Sequence, residues 1–357
     1  MKTVITSVKG PPLPRVLCSF LFGAAAFCVV PANSQTPADI VWVTTGNTIA
    51  KYNLADGTAN TNFITLQTVP LPMTPGWVAL PSLGGILVSG PNLYVAAEWV
   101  PNVSILQLML QNSPYKYDWY INYVIATYDA GTGKMTSSFA DRLSPMYHFP
   151  FVPAGMALSV SNSGTNLDVA NYRQNSITKG ENLFYINSTL SAVIKAPYAL
   201  AENGTMLYVT NNAQSPKGNF YISTYSTAPT SVNGALLNPY FIEIQTGTTG
   251  LYGLALQGNT LYVSVYSGSA PGFPGVYTYD ATTGSQLSNG PLVSVNEPWG
   301  IAIGSPRFPG GNPTLYVASH QDSAIYEFDA INGGQPFGSI KLSAAPTNIT
   351  VEPANEQ

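Results

Sequence analysis

Proton transfer near neutral pH calls for a side chain that can hold and release a proton there, and histidine is the one suited to it. The sequence has two histidines, His148 and His320. Either could serve as a general base, with Glu297 or Glu98 orienting the imidazole or acting as the acid. Trp77, Tyr147 and Trp299 offer aromatic surface at neighbouring repeat positions. Asn171, Arg173, Lys217 and Asp322 add polar groups to the same set. Glu98, Asn171, Asn211, Glu297 and Asp322 are oxygen donors of the kind Ca²⁺ takes, but no DxDxDG-like loop organises them. No resident metal or cofactor is therefore expected, and Ca²⁺ is the cation the ligand types would admit.

These residues acquire a common location only through an internal repeat. A strand core recurs as Val41-Trp42-Val43, Leu93-Tyr94-Val95, Leu167-Asp168-Val169, Leu207-Tyr208-Val209, Leu261-Tyr262-Val263 and Leu315-Tyr316-Val317. Ahead of it lies a second element, seen as Pro153-Ala154-Gly155, Pro197-Tyr198-Ala199, Leu251-Tyr252-Gly253 and Pro298-Trp299-Gly300. Its third position is Gly or Ala, as strands crowded around an axis require. Behind the core comes a third strand closing in a turn, as in Tyr128-Asp129-Ala130, Tyr279-Asp280-Ala281 and Phe328-Asp329-Ala330. Aspartate there can accept hydrogen bonds from the turn amides.

Inner, second, third and outer strands in units of about 40 to 55 residues describe a propeller blade. The expected fold is all-β, a six-bladed β-propeller with four-stranded blades. Ile40 to Val43 enters as a second strand with no inner strand before it. Pro346 to Val351 is an inner strand with nothing after it. Joined, the two termini complete one blade and leave no open edge. Loops leading into inner strands and loops leaving second strands then share one face, which gathers the polar and aromatic residues named above. In the second unit, the runs Ser104 to Gln111 and Trp119 to Tyr128 predict an elongated hairpin over about 99–122.

Residues 1–34 resemble an export signal. Lys2, Lys9 and Arg15 precede an apolar run from Val16 to Val30, and Ala32-Asn33-Ser34 supplies small residues for cleavage. The domain expected after it covers 35–357, secreted or periplasmic. Cys18 and Cys28 both fall in the signal, so the rest can form no disulfide. Three of the 13 basic residues also fall there, leaving ten against 17 acidic ones and a net charge of −7. Without a Lys/Arg cluster, nucleic acid is not expected as a partner. No transmembrane run follows the signal, and a monomer is expected.

Leu207-Tyr208-Val209-Thr210-Asn211-Asn212 and Leu315-Tyr316-Val317-Ala318-Ser319 resemble YVTN-type and NHL-type propeller repeats. The chain is also similar to gluconolactonase/regucalcin propellers, whose metal site uses an acidic residue and an Asn at the starts of inner strands. Here Pro197-Tyr198-Ala199 stands where such proteins often show Pro-Asn-Gly, which counts against that activity. Streptogramin-ring lyases are NHL-like propellers using His and Glu, and only those residue types match here. Because catalytic signatures are missing, the leading expectation is a noncatalytic propeller that binds a protein, glycan or small molecule through its loop face. A hydrolase or lyase using His320 or His148 with Glu297 is the second reading. A structural surface-associated repeat protein is the third.

Overall fold

The computed structural model describes residues 39–67, 69–70, 78–101, 122–141, 153–161, 164–172, 175–179, 193–227, 234–245, 250–266 and 274–352. Among them no helix is long and apolar enough to cross a membrane. Residues 1–34 lie outside this set, as do Trp77, Tyr147, His148, Arg173 and the 102–121 part of the predicted hairpin.

Six antiparallel sheets are arranged as a β-propeller. The first joins β1 (Ile40–Thr45), β2 (Thr48–Asn53) and β3 (Ala59–Thr65) to β24 (Pro346–Glu352), which lies innermost. The second contains β4 (Val69–Pro70), β5 (Val78–Ser89), β6 (Asn92–Pro101), β7 (Asn122–Asp129) and β8 (Met135–Asp141). The third contains β9 (Pro153–Ser161), β10 (Gly164–Asn171) and β11 (Ser176–Lys179). The fourth contains β12 (Pro197–Glu202), β13 (Met206–Asn211), β14 (Phe220–Ser226) and β15 (Leu236–Ile244). The fifth contains β16 (Leu251–Gln257), β17 (Thr260–Val265), β18 (Gly275–Asp280) and β19 (Val293–Ser294). The sixth contains β20 (Pro298–Gly304), β21 (Thr314–Ser319), β22 (Ala324–Asp329) and β23 (Gly333–Lys341). Inner strands β24, β5, β9, β12, β16 and β20 pack each against the next, and β20 returns to β24. The ring is thus closed by the C-terminal strand, with Val43 opposite Ile349 and Val41 opposite Val351.

The core is divided into layers between blades, one apolar cluster to each neighbouring pair. Second strands are consequently covered on both faces, which is why Leu-Tyr-Val and Val-Trp-Val cores are continuously apolar rather than alternating. Outer strand β23, by contrast, is largely exposed.

The repeated motifs depend on one another. The Tyr208 hydroxyl donates to the Ala281 carbonyl of the next blade at 2.7 Å, and Tyr262 to Ala330 at 2.8 Å. The middle tyrosines of these two Leu-Tyr-Val cores therefore strap the neighbouring blade's Asp-Ala turn. Those turns are held by Asp129, Asp280 and Asp329, each accepting turn amides at 2.7–2.9 Å. Where Trp42 replaces the tyrosine, Lys51 makes the strap instead: its ammonium donates to the Ala130 carbonyl at 2.8 Å and lies 5.2 Å from the Trp42 ring centre. At the closure point the Tyr316 hydroxyl donates to the buried Asp39 carboxylate at 2.9 Å. Replacing Tyr262 by Phe leaves the buried Ala330 carbonyl without this donor. The expected loss is about 1–2 kcal/mol, measured as a shift in chemical denaturation midpoint at unchanged slope. An unaltered midpoint would remove the strap from the account of blade association.

Candidate functional site

Every inner strand shows a register shift, placed at the strand start in blades 4, 5 and 6, between Pro197 and Leu200, Leu251 and Leu254, and Pro298 and Ile301. Such bulges re-aim side chains. Hydroxyls of the second strands occupy two of them: the Thr210 hydroxyl accepts from the Ala199 amide at 2.7 Å, and Ser264 accepts from the Gly253 amide at 2.6 Å. The Ser264 hydroxyl also donates to the Trp299 carbonyl of the next blade at 2.8 Å. Glycine at the third position permits this approach, since a Cβ on Gly253 would overlap the Trp299 carbonyl oxygen.

The re-aimed residues, Tyr198, Tyr252 and Trp299, meet. Trp299 stacks on Tyr252 with centroids 5.0 Å apart and planes 6° apart, and Tyr198 abuts Tyr252 edge-on at 4.7 Å. Residues leaving the second strands join them. Tyr172 packs on Tyr198, and Tyr266 stands across both Tyr252 and Trp299 at 66° and 60°. His320 stacks on Trp299 at 4.6 Å and 16°. Aromatic contact thus continues through four adjacent blades, and each pair adds about 0.5–1.5 kcal/mol beyond area burial.

Glu297 brings charge to this surface. Its carboxylate lies 3.3 Å from His320 Nδ1, and each side chain is about one-third exposed. The His320 amide donates to the Glu297 carbonyl at 3.0 Å, so the loop entering the inner strand and the loop leaving the second strand of one blade hold each other. Burial first, then the nearness of the Glu297 carboxylate, pushes the Tyr266 phenol up from its ordinary range.

Glu297 has φ +42°, left-handed for a non-glycine residue. The matching positions of blades 4 and 5 hold Ala196 and Gly250, whose carbonyls accept from Asn212 and Tyr266 as Glu297 accepts from His320. Ala196 shares this left-handed conformation at φ +48°, so the backbone strain belongs to the repeat's entry turn, and blade 6 sets a glutamate on it.

The remaining sequence-derived residues divide. Asn171 is wholly buried at the end of β10, its amide 3.4 Å from both the Val169 carbonyl and the Ser176 hydroxyl. Asn211 is buried likewise and accepts from the Lys195 amide at 2.9 Å. The Asp322 carboxylate accepts from Ser319 at 2.9 Å and from Tyr326 at 3.3 Å, ordering the loop after β21. Lys217 pairs with Glu243 at 2.5 Å on the surface. Glu98 is placed by its backbone, opposite Ser82 and Tyr123. Among the described residues, no three His, Cys, Asp or Glu side chains are grouped to hold a metal.

Tyr172 and Tyr266 were not among the expected site residues, although the repeat marks them. Each follows the first residue of its strand core by the same offset as His320 follows Leu315. A groove of about 600 Å³ also lies at the rim beside β15 and β18, lined by Phe241, Tyr277, Tyr279 and Gln286. Its one acidic lining residue, Glu243, is already paired with Lys217 and no histidine lines it, so the axial cluster is the better candidate site.

No protein-family model matches the sequence, and no curated protein matches it. Among solved structures, a chain of a nidogen/laminin complex shares 13% identity at a TM-score of 0.56, covering 88% of this chain and 98% of that one. A putative 6-phosphogluconolactonase from Bacteroides fragilis NCTC 9343 shares 16% identity at 0.43, covering 90% and 99%. The protein AztD from Citrobacter koseri, in its apo structure, shares 11% identity at 0.41, covering 88% and 98%. What the nidogen/laminin likeness establishes is a shared fold.

Proposed function

We propose that the chain is an exported propeller, akin to YVTN- and NHL-type repeat proteins, that binds a small molecule at the axial cluster of blades 5 and 6. The observation carrying this reading is the meeting of Glu297, His320, Tyr266 and Trp299 on one face. A glutamate paired with an imidazole and aromatic walls from two blades exceed what closing the ring demands. Export is supported by the signal-like character of residues 1–34.

Small-molecule panels read by intrinsic fluorescence test the proposal, since Trp299 lies in the cluster. Ligands that bind there should lose about tenfold or more in affinity in His320→Ala and Glu297→Gln. Ligands that bind both variants as tightly as the parent would place binding elsewhere.

A second reading is hydrolysis or elimination, favoured by the 3.3 Å separation of His320 Nδ1 and Glu297. Glu297 would orient the imidazole, leaving Nε2 to take a proton. Turnover of lactones or esters that falls at least about a hundredfold in His320→Ala would support it. Turnover unchanged by that substitution would exclude His320 from the chemistry.

A further inference from the structure

We infer that Glu327 makes closure of the ring sensitive to pH: the seam between the sixth and first blades is tightest when this carboxyl carries a proton and loosens as it ionises. In the blade ladders the middle tyrosine of a second-strand core lies opposite one residue of the third strand. The pairs are Tyr94 with Thr127, Tyr208 with Thr224 and Tyr262 with Thr278. A threonine therefore suffices at this position between blades. In the sixth blade Tyr316 lies opposite Glu327 instead. That side of the sheet meets the first blade, because Tyr316 is buried with Val41, Tyr52 and Val351 and its hydroxyl donates to Asp39.

Glu327 is shielded from solvent there. It is 3% exposed, and its Oε2 accepts no hydrogen bond from the described residues. The carboxyl lies over Gly338 of β23, where a Cβ would come within 2.8 Å of it. The Arg307 guanidinium stands 3.8 Å from Oε2, beyond hydrogen-bond reach, and its side chain is 37% exposed, so solvent screens the pair. Across the seam, Asp39 has the same sign as Glu327, and its carboxylate already accepts from Tyr316 at 2.9 Å and from the Ser305 amide at 3.1 Å. Tyr316 and Tyr52 add no charge, since burial holds both phenols above their ordinary range. A carboxylate so placed pays its desolvation with little return, whereas a protonated carboxyl does not. Burial accordingly pushes the Glu327 carboxyl up from its ordinary value of 4.5, against the pull of Arg307. A carboxyl raised in the folded state stabilises it fully below that ordinary value, and the contribution is lost as pH rises through the folded one. Asp129 and Asp280 act with the opposite sign, held below the usual carboxylate range by hydrogen bonds from Thr132 and Thr283. Substitution of Glu327 separates its contribution from theirs.

The test compares the full chain with Glu327→Gln, of the same size, and with Glu327→Thr, which installs the residue that three other blades carry. Thermal melts between pH 4 and pH 8 give the melting temperature of each variant minus that of the parent. This difference should rise by about 3 °C or more from pH 4 to pH 8 for both substitutions, whatever packing either one loses. Hydrogen exchange locates the effect. In the parent, protection of the β24 amides relative to those of β13 should fall about threefold or more between pH 5 and pH 8. The ratio cancels the intrinsic pH dependence of exchange, and in Glu327→Gln it should stay level. A parent ratio that is the same at both pH values would overturn the inference without reliance on any variant. So would a fall that persists in Glu327→Gln. A melting difference that is constant with pH, or that shrinks as pH rises, would show that ionised Glu327 costs the seam nothing, and the inference would be dropped.

Discussion

Deleting Pro346–Gln357 is expected to abolish the cooperative unfolding transition and drive the protein into aggregates. β24 is the inner strand of the blade whose other three strands come from the start of the chain. It packs between β20 and β5 and pairs with β1 along its length. Its Ile349 and Val351 are buried in the layer that joins the first and last blades. Burial of two such side chains is worth about 1.5–3 kcal/mol each. The ladder to β1, the Thr44–Thr347 hydroxyl pair at 2.8 Å and the reach of the Asn348 amide to the Ala154 carbonyl at 3.4 Å are lost with them. Against a total stability of about 5–15 kcal/mol, that is decisive. The deletion also leaves unpaired strand edges, which recruit other chains. Circular dichroism melts and size-exclusion chromatography read both effects. A truncated monomer with the parent's melting temperature would show that closure at this blade is dispensable.

Gly253→Val is expected to destabilise the protein by about 3 kcal/mol or more, against about 1 kcal/mol or less for Gly290→Val. Gly253 sits where β16 passes β20, and a Cβ there would overlap the Trp299 carbonyl and come within 3.0 Å of Ile301. The obstacle is backbone held in a neighbouring sheet, so no rotamer change relieves it. Around Gly290 there is nothing within 4 Å. The melting temperature should fall by roughly 10 °C for the first substitution and little for the second. Because the displaced atom belongs to Trp299, residual folded Gly253→Val protein should also bind ligand more weakly. Equal melting temperatures for the two variants would mean that the blades are not packed this closely.

Much of this architecture is legible in the residues themselves. Leu-Tyr-Val cores at intervals of 54 residues in the last three blades, with Tyr-Asp-Ala and Phe-Asp-Ala turns behind the last two, encode strands and turns locally. Their repetition implies blades, because a unit whose two faces are both apolar must be covered by copies of itself. The unmatched second strand at Ile40 and unmatched inner strand at Pro346 likewise imply closure. The same register places Glu297, Trp299 and His320 on one face, since all three lie at loop ends fixed by the repeat.

What they do on that face was decided by tertiary structure. The 3.3 Å approach of His320 to Glu297 depends on two loops of one blade locking together, with Glu297 forced to positive φ. The arrival of Tyr266 depends on the neighbouring blade, and the stack of Trp299 on Tyr252 on bulges that turn inner-strand side chains toward one another. None of these is a property of a short segment. Strand and turn preferences act over a few residues, whereas the distance between side chains of adjacent blades is set by how closely backbones pass in the closed ring. Here a glycine at one position and a serine hydroxyl at another govern that distance.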